Sequence, residues 1–180
     1  DEWFQRVCNW SGFNPEVDAF ASSKNRRCPR YWDRTVNAFN QVWSTLLLWM
    51  NPPFEAISEV VEKLIDDRGR ALVLVPKWES EEWWGTLESI VVDFWDLPQD
   101  CPIYQDESGK VLPQPAWGTR ACLVDGSLAD PGEYRRFVNV VIANSPVWLS
   151  EIDRTLLRTA LVAGDRGTTS ILAVAGGAEP

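Results

Sequence analysis

Leu46-Leu47-Leu48-Trp49-Met50-Asn51-Pro52-Pro53-Phe54 decides how this chain is read. An apolar run stops at Asn51-Pro52-Pro53. Phe54, Ile57, Val61 and Leu64 then recur at helical spacing, with Val60 and Ile65 beside them. That pattern predicts a buried strand over 46–50, a tight turn, and a helix from Phe54 to about Ile65. Asn is a favoured N-cap and Pro a favoured first helical residue, so backbone chemistry alone accounts for the turn. Such a turn, at the carboxyl end of a strand in an open α/β sheet, is also where ligands bind.

Toward the amino end, residues 1–12 predict a short helix stopped by Gly12, with Trp3, Phe4 and Val7 on one face. Asn14-Pro15 marks a turn, and Val17 to Ala21 reads as a strand. Ser22 or Ser23 is placed to cap a brief helix over Lys24 to Arg27, ended by Pro29. Val36 to Phe39 reads as a second strand. Toward the carboxyl end, Gly69 sits where a helix C-cap is expected. Ala71 to Val75 is a continuous apolar run, as in a strand buried on both faces. Ser80 is placed to cap a helix carrying Trp83, Trp84 and Leu87, and Ile90 to Trp95 reads as a strand.

The stretch 98–118, with four prolines and two glycines, reads as a long ordered loop or hairpin. Thr119 to Val124 reads as a strand closed by Asp125-Gly126, and 127–134 as a second loop. Beyond it come a strand at Phe137 to Ala143, a helix from the capping box Ser150-Glu151-Ile152-Asp153 to about Val162, and a last strand at Ser170 to Ala175. The alternation predicts an α/β layered fold, a mostly parallel sheet covered on both faces with late antiparallel strands. Residues 1–126 read as the core and 127–180 as an extension packed on the same sheet.

The 180 residues fit one domain, 45% hydrophobic and 24% charged. No apolar stretch reaches the roughly 20 residues that span a membrane, so no membrane partner and an intracellular location are expected. Asp1-Glu2-Trp3-Phe4 has neither the character of a signal peptide nor an initiating Met, which suggests a trimmed chain or a piece of a longer polypeptide. A net charge of −9 argues against indiscriminate coating of nucleic acid but leaves room for a local basic site. With no histidine, His-based zinc centres and His-containing triads are ruled out. The scattered Cys8, Cys28, Cys101 and Cys122 form no C-x-x-C pair, so no metal is expected and reduced, partly buried thiols are. Most of the 11 tryptophans belong in the core, with a subset free to line a cleft.

Four segments carry chemistry. In the first, the Asn51 side-chain oxygen and the Pro52 carbonyl can accept hydrogen bonds from an exocyclic amine, orienting its lone pair toward a sulfonium methyl group. Phe54 can stack on the base that carries the amine, once that base leaves its helix. Positioning is most of the gain. The second is Asp18-Ala19-Phe20-Ala21-Ser22, a carboxylate at a strand end that suits the polar part of a nucleoside-type cofactor or, more simply, caps a turn. No G-x-G-x-x-G and no P-loop accompany it. The third is Lys24 to Arg34, where Lys24, Arg26, Arg27, Arg30 and Arg34 face a single acid, Asp33. Tyr31 and Trp32 interleave with them, as on a surface that contacts phosphates and bases, although a solvated face has the same composition. The fourth is Pro76-Lys77-Trp78, on the same sheet edge as the first two; here Trp78 is a candidate cleft wall, and Trp83 and Trp84 are core.

Asp18-Ala19-Phe20-Ala21-Ser22-Ser23-Lys24-Asn25, Arg30-Tyr31-Trp32, Asn37-Ala38-Phe39, Trp43, Trp49 to Phe54, Val75 to Trp78 and Trp83-Trp84, in that order, resemble the phage-type DNA N6-adenine methyltransferase (Dam) domain. The versions beside reverse transcriptase and RNase H in tyrosine-recombinase retroelements are more similar still. The resemblance covers roughly residues 3–126. It implies a Rossmann-like, methyltransferase-type three-layer sandwich that uses S-adenosylmethionine. Asp18, Phe20 and Asn25 would line the cofactor site, and Asn51, Pro52, Pro53 and Phe54 would form the amine-binding loop. Lys24, Arg26, Arg27, Arg30, Tyr31 and Trp32 are the candidate nucleic-acid contacts. Asn37 stands where the family tends to have Asp. The expected partner is DNA or another nucleic acid. The alternative is a catalytically silent, retroelement-derived domain that binds nucleic acid or serves a larger protein or ribonucleoprotein assembly.

Overall fold

A computed structural model describes residues 2–113, 115–133 and 136. In chain order its elements are α1 (Glu2–Ser11), β1 (Val17–Asp18), β2 (Arg30–Tyr31), β3 (Leu47–Met50), α2 (Ile57–Asp66), β4 (Arg70–Pro76), α3 (Glu82–Glu88), β5 (Val91–Asp96) and β6 (Thr119–Asp125). The strands form one sheet in the order β2-β1-β3-β4-β6-β5. The first four run parallel, while β6 lies antiparallel between β4 and β5. The expected mixed α/β sheet with late antiparallel strands is therefore present.

The pleat divides the apolar residues between two faces. Leu48 and Met50 of β3, with Ala71, Val73 and Val75 of β4, meet Ile57, Val60, Val61 and Leu64 of α2 and Trp83, Trp84 and Leu87 of α3. On the other face Trp49, Leu72, Leu74 and Ala121 lie under Phe4, Val7 and Cys8 of α1 and under Leu97, Cys101, Ile103 and Tyr104. Fully burying one large aliphatic side chain in these layers contributes roughly 1.5–3 kcal/mol. The four cysteines are buried thiols outside any disulfide, pushed up to about 11 at Cys8 and Cys101 and about 12 at Cys28 and Cys122. No helix among the described residues is long and apolar enough to cross a membrane.

The strand order creates one special place. From β1 the chain first steps outward to β2, then returns across β1 to β3. The carboxyl ends of β1 and β3 are neighbours, joined by Ala19 N–H donating to the Trp49 carbonyl at 2.9 Å. An open α/β sheet binds ligands outside its strand ends where the order reverses in this way.

Several expectations need correction. The helix after β3 begins with a 3-10 turn at Phe54–Ala56, and α2 starts only at Ile57 with no side-chain cap, so Asn51 is not an N-cap. Nor does Ser80 cap α3, whose N-cap is Glu81. No helix forms over Lys24 to Arg27: the Asn25 side chain turns back to accept the Ser22 N–H at 2.7 Å and so makes a turn instead. Val36 to Phe39 is not a strand, because Asn37 has φ 55 and begins a 3-10 turn at Ala38–Asn40. The second strand is Arg30–Tyr31, inside the basic stretch.

Val17 to Ala21 forms a strand only over Val17–Asp18. At the end of α2 the left-handed residue is Arg68, φ 53, with Arg68 N–H and Gly69 N–H donating to Ile65 and Leu64 carbonyls. This pair of bonds is the Schellman closure, with Arg where Gly is usual. The 127–134 loop opens with a 3-10 turn at Gly126–Ala129, capped by the Asp125 side chain. A Cβ at Gly126 would fall 1.7 Å from the Leu64 carbonyl oxygen, so only glycine lets this turn close on α2. The strand at Phe137 to Ala143, the helix begun by Ser150 and the strand at Ser170 to Ala175 lie outside the described residues.

Candidate functional site

A cleft of about 910 Å³ opens at the reversal point, a volume of the size that takes a nucleoside-like molecule. Three walls enclose it: Ala19–Ser22, Asn25 and the stretch from Trp32 to Phe39; Asn51 to Ala56; and Tyr104 to Glu107.

The wall after β3 holds the four residues singled out from sequence. Pro52 is buried and Asn51 half-buried. The Asn51 side chain makes no hydrogen bond among the described residues, although buried and half-buried amides ordinarily find partners. Pro53, extended at φ −53 and ψ 143, starts the 3-10 turn. Phe54 is 37% exposed. Its ring meets Trp78 at 5.1 Å, Trp117 at 5.6 Å and Tyr104 at 6.5 Å, each edge to face.

The wall after β1 is arranged differently. Asp18 is only 3% exposed and does not line the cleft. Its carboxylate accepts the Arg27 N–H at 2.9 Å and the Phe20 N–H. Burial pushes Asp18 up to about 6 despite these two donors. Phe20 does line the cleft and packs edge to face on Phe39 at 5.7 Å. Asn25 also lines it, but its amide is spent: Oδ1 accepts from Ser22, and Nδ2 donates to the Asp106 carbonyl at 3.1 Å.

The basic segment separates into inner and outer members. Arg27 donates to the Ile103 carbonyl at 3.0 Å, and Trp32 is in the core with one edge on the cleft. Lys24, Arg26 and Arg30 are exposed. Arg26 folds onto the Pro29 carbonyl and sits 5.4 Å above the half-buried Tyr31 ring. Arg34 lines the cleft and pairs with Glu107.

The third wall was not foreseen as part of the site. Residues 104–112 form a hairpin bridged at Gln105 and Val111. Tyr104 is anchored by its hydroxyl, 3.0 Å from Thr119 Oγ1. The hairpin turn was legible: Asp106 accepts from Ser108 and Lys110, bonds that hold its carboxyl below the usual range, and Gly109 takes φ 86. Its docking was not. Ser22 Oγ donates to the Glu107 carbonyl at 2.7 Å, and a Cβ on Gly109 would come within 2.7 Å of the Lys24 carbonyl oxygen. Trp117 is a second addition, brought to Phe54 and Trp78 by the same loop.

In sign the cleft is acidic, with Asp33, Glu55, Asp106 and Glu107 against Arg34 alone among the described residues. Such a lining favours a cation and ribose-type hydroxyls and disfavours phosphates. The Phe20–Phe39 pair offers ring surface to a flat heteroaromatic group. Among the described residues no group of His, Cys, Asp and Glu is placed to hold a metal.

Residues 7–94 match the family model described as DNA N-6-adenine-methyltransferase (Dam). Neither the curated proteins nor the solved structures contain a match to the chain. The matched span includes the first two walls of the cleft, while Tyr104 to Glu107 and Trp117 lie beyond it. Over residues 7–94, which carry the strand reversal and both of those walls, the chain is similar to DNA N-6-adenine-methyltransferases.

Proposed function

We propose that the cleft transfers a methyl group from S-adenosylmethionine to adenine N6 in DNA, on a Rossmann-like scaffold of the retroelement type. The observation that carries this reading is Asn51. It stands at the carboxyl end of β3, beside the strand reversal, with an amide that neither caps a helix nor bonds to any of the described residues. The family match supports the same chemistry.

The cofactor fits the residues present. When bound, it supplies an electrophilic methyl group on a sulfonium centre. The acidic lining suits that positive charge, and Phe20 and Phe39 offer ring surface for its base. Asn51 Oδ1 and the Pro52 carbonyl accept the two N6 hydrogens, which aims the nitrogen lone pair into the cleft. Phe54 holds the plane of the adenine. In-line geometry then supplies most of the acceleration. Asp18 acts at one remove, by fixing the backbone of Phe20 and Arg27. Exposed Lys24, Arg26 and Arg30 supply contacts to the DNA backbone. Residues 1–126 are the catalytic core in this reading.

A silent, nucleic-acid-binding version of the domain, working in a larger assembly, is the second reading. Burial of Asp18 away from the cleft favours it. Calorimetric titration of the purified chain with S-adenosylmethionine separates the two. A saturable heat is expected from the transferase, and none even at millimolar cofactor from the silent domain.

A further inference from the structure

Phe54 heads the 3-10 turn ahead of α2, a turn that no side chain caps, and its ring is 37% exposed. The pitch of that ring is therefore set by the rings around it: Trp78, Tyr104 and Trp117. Among these three, Tyr104 alone also lines the cleft, and it alone has its side chain hydrogen-bonded to a described residue. Its ring stands at 83° to that of Phe54, with centroids 6.5 Å apart, so the two rings form a corner. A flat base lying against one ring turns its edge toward the other.

The hydroxyl is what holds Tyr104 in this corner. It lies 3.0 Å from Thr119 Oγ1, and both residues are buried. Thr119 is the first residue of β6, in register with Pro76 of β4, and its carbonyl accepts the Leu97 N–H at 2.9 Å. The anchor is thus a sheet residue fixed on both sides. A side chain locked by a hydrogen bond to a rigid element holds a site more closely than one carried by a loop. The tip of the same hairpin is held separately, by Ser22 on the Glu107 carbonyl and Asn25 on the Asp106 carbonyl. Loosening Tyr104 therefore leaves the hairpin docked over the other end of the cleft.

We infer that Tyr104 is a positioning residue for the target base: locked to Thr119, it sets the pitch of Phe54 and closes the corner in which the base sits. The inference rests on the reading that Phe54 holds the plane of the adenine. It adds Tyr104 and Thr119, both outside the family match, to the residues that govern transfer.

Thr119→Val removes the lock and keeps the volume, Tyr104→Phe removes it from the other side, and Thr119→Ser keeps the hydroxyl. Methyl transfer from labelled S-adenosylmethionine to unmethylated duplex DNA of mixed sequence gives kcat, and calorimetry gives cofactor affinity. Thr119→Val and Tyr104→Phe are each expected to lower kcat roughly ten- to hundred-fold, the effect of a displacement of about 1 Å, with cofactor affinity unchanged. Combining them costs no more than either alone, because both remove the same bond, and Thr119→Ser stays near wild type. An unchanged kcat in both single variants, or a cofactor affinity that falls in step with kcat, overturns the positioning role. A second readout needs no chemistry. All seven phenylalanines are replaced by para-fluorophenylalanine, and the Phe54 fluorine resonance is assigned by its loss in Phe54→Leu. Thr119→Val is expected to shift or broaden that resonance and Thr119→Ser to leave it in place; a Phe54 resonance that Thr119→Val does not move overturns the inference. A wild-type chain that neither binds cofactor nor transfers methyl removes the transferase reading, and the fluorine resonance still decides whether Tyr104 sets Phe54.

Discussion

The turns at the carboxyl ends of β1 and β3 begin alike in sequence and end differently in space. Both place a polar residue at or just after a buried strand end, Asp18 in one and Asn51 in the other. Asp18 points into the protein, where backbone N–H groups of Arg27 and Phe20 consume its carboxylate. Asn25, seven residues on, is consumed as well, between Ser22 and Asp106. Asn51 is left with its amide unengaged by any described residue. The difference comes from the path of the chain beyond each strand. After β1 the chain must loop back to lay β2 alongside, and the polar side chains hold that loop together. After β3, Pro52 and Pro53 remove two N–H donors and fix φ, so the turn holds its shape without help from Asn51. One turn is therefore built from its polar groups, and the other presents them.

Breaking each turn should give opposite signatures. Asn51→Ala is expected to lower methyl transfer by on the order of 10²–10³-fold, the cost of losing one well-placed transition-state contact. Its stability should stay within about 0.5 kcal/mol of wild type. Steady-state rates with chemical denaturation check both halves; a large stability loss would make Asn51 structural after all.

Asp18→Asn should do the reverse, through pH. Asp18 rises from 3.8 to about 6 on folding, so between those values the native state keeps a proton that the unfolded chain releases. Stability therefore falls as pH rises through that window, and the penalty persists above it. A side chain that cannot ionise escapes it. The stability of Asp18→Asn relative to wild type should improve by roughly 2 kcal/mol from pH 4 to pH 7. Denaturation midpoints across that range test this, and a flat difference refutes the assignment.

Gly109→Ala probes how the β1 turn is held to the third wall. The added methyl meets the Lys24 carbonyl oxygen at 2.7 Å on a backbone with φ 86. A cost of about 1–3 kcal/mol is expected, together with weaker cofactor binding as the hairpin lifts from Ser22 and Asn25. Unchanged cofactor affinity would show that the hairpin only bounds the cleft.

Much of the frame could be read in advance. The apolar run before Asn51, the period of α2 and the unbroken Ala71 to Val75 gave β3, α2 and β4, because each depends on patterns local to the chain. The two-residue strands β1 and β2 carry no period of their own. Arg30–Tyr31 is a strand only because Trp32 N–H finds the Asp18 carbonyl at 2.8 Å, and the strand-like Val36 to Phe39 yields to a left-handed Asn37. The same limit hid most of the site. Tyr104 and Trp117 lie more than fifty residues from Asn51, and nothing near them in sequence marks a contact with Phe54.

By itself, then, the sequence determined the strand, the proline turn and the helix around Asn51, since propensity, periodicity and ring constraints act within a few residues. Tertiary structure alone decided that Asp18 faces inward, that Asn51 is unengaged by any described residue, and that Tyr104 to Glu107 of the hairpin complete the cleft. Those outcomes depend on which distant backbone groups arrive to be hydrogen-bonded or packed, and the sheet order sets that.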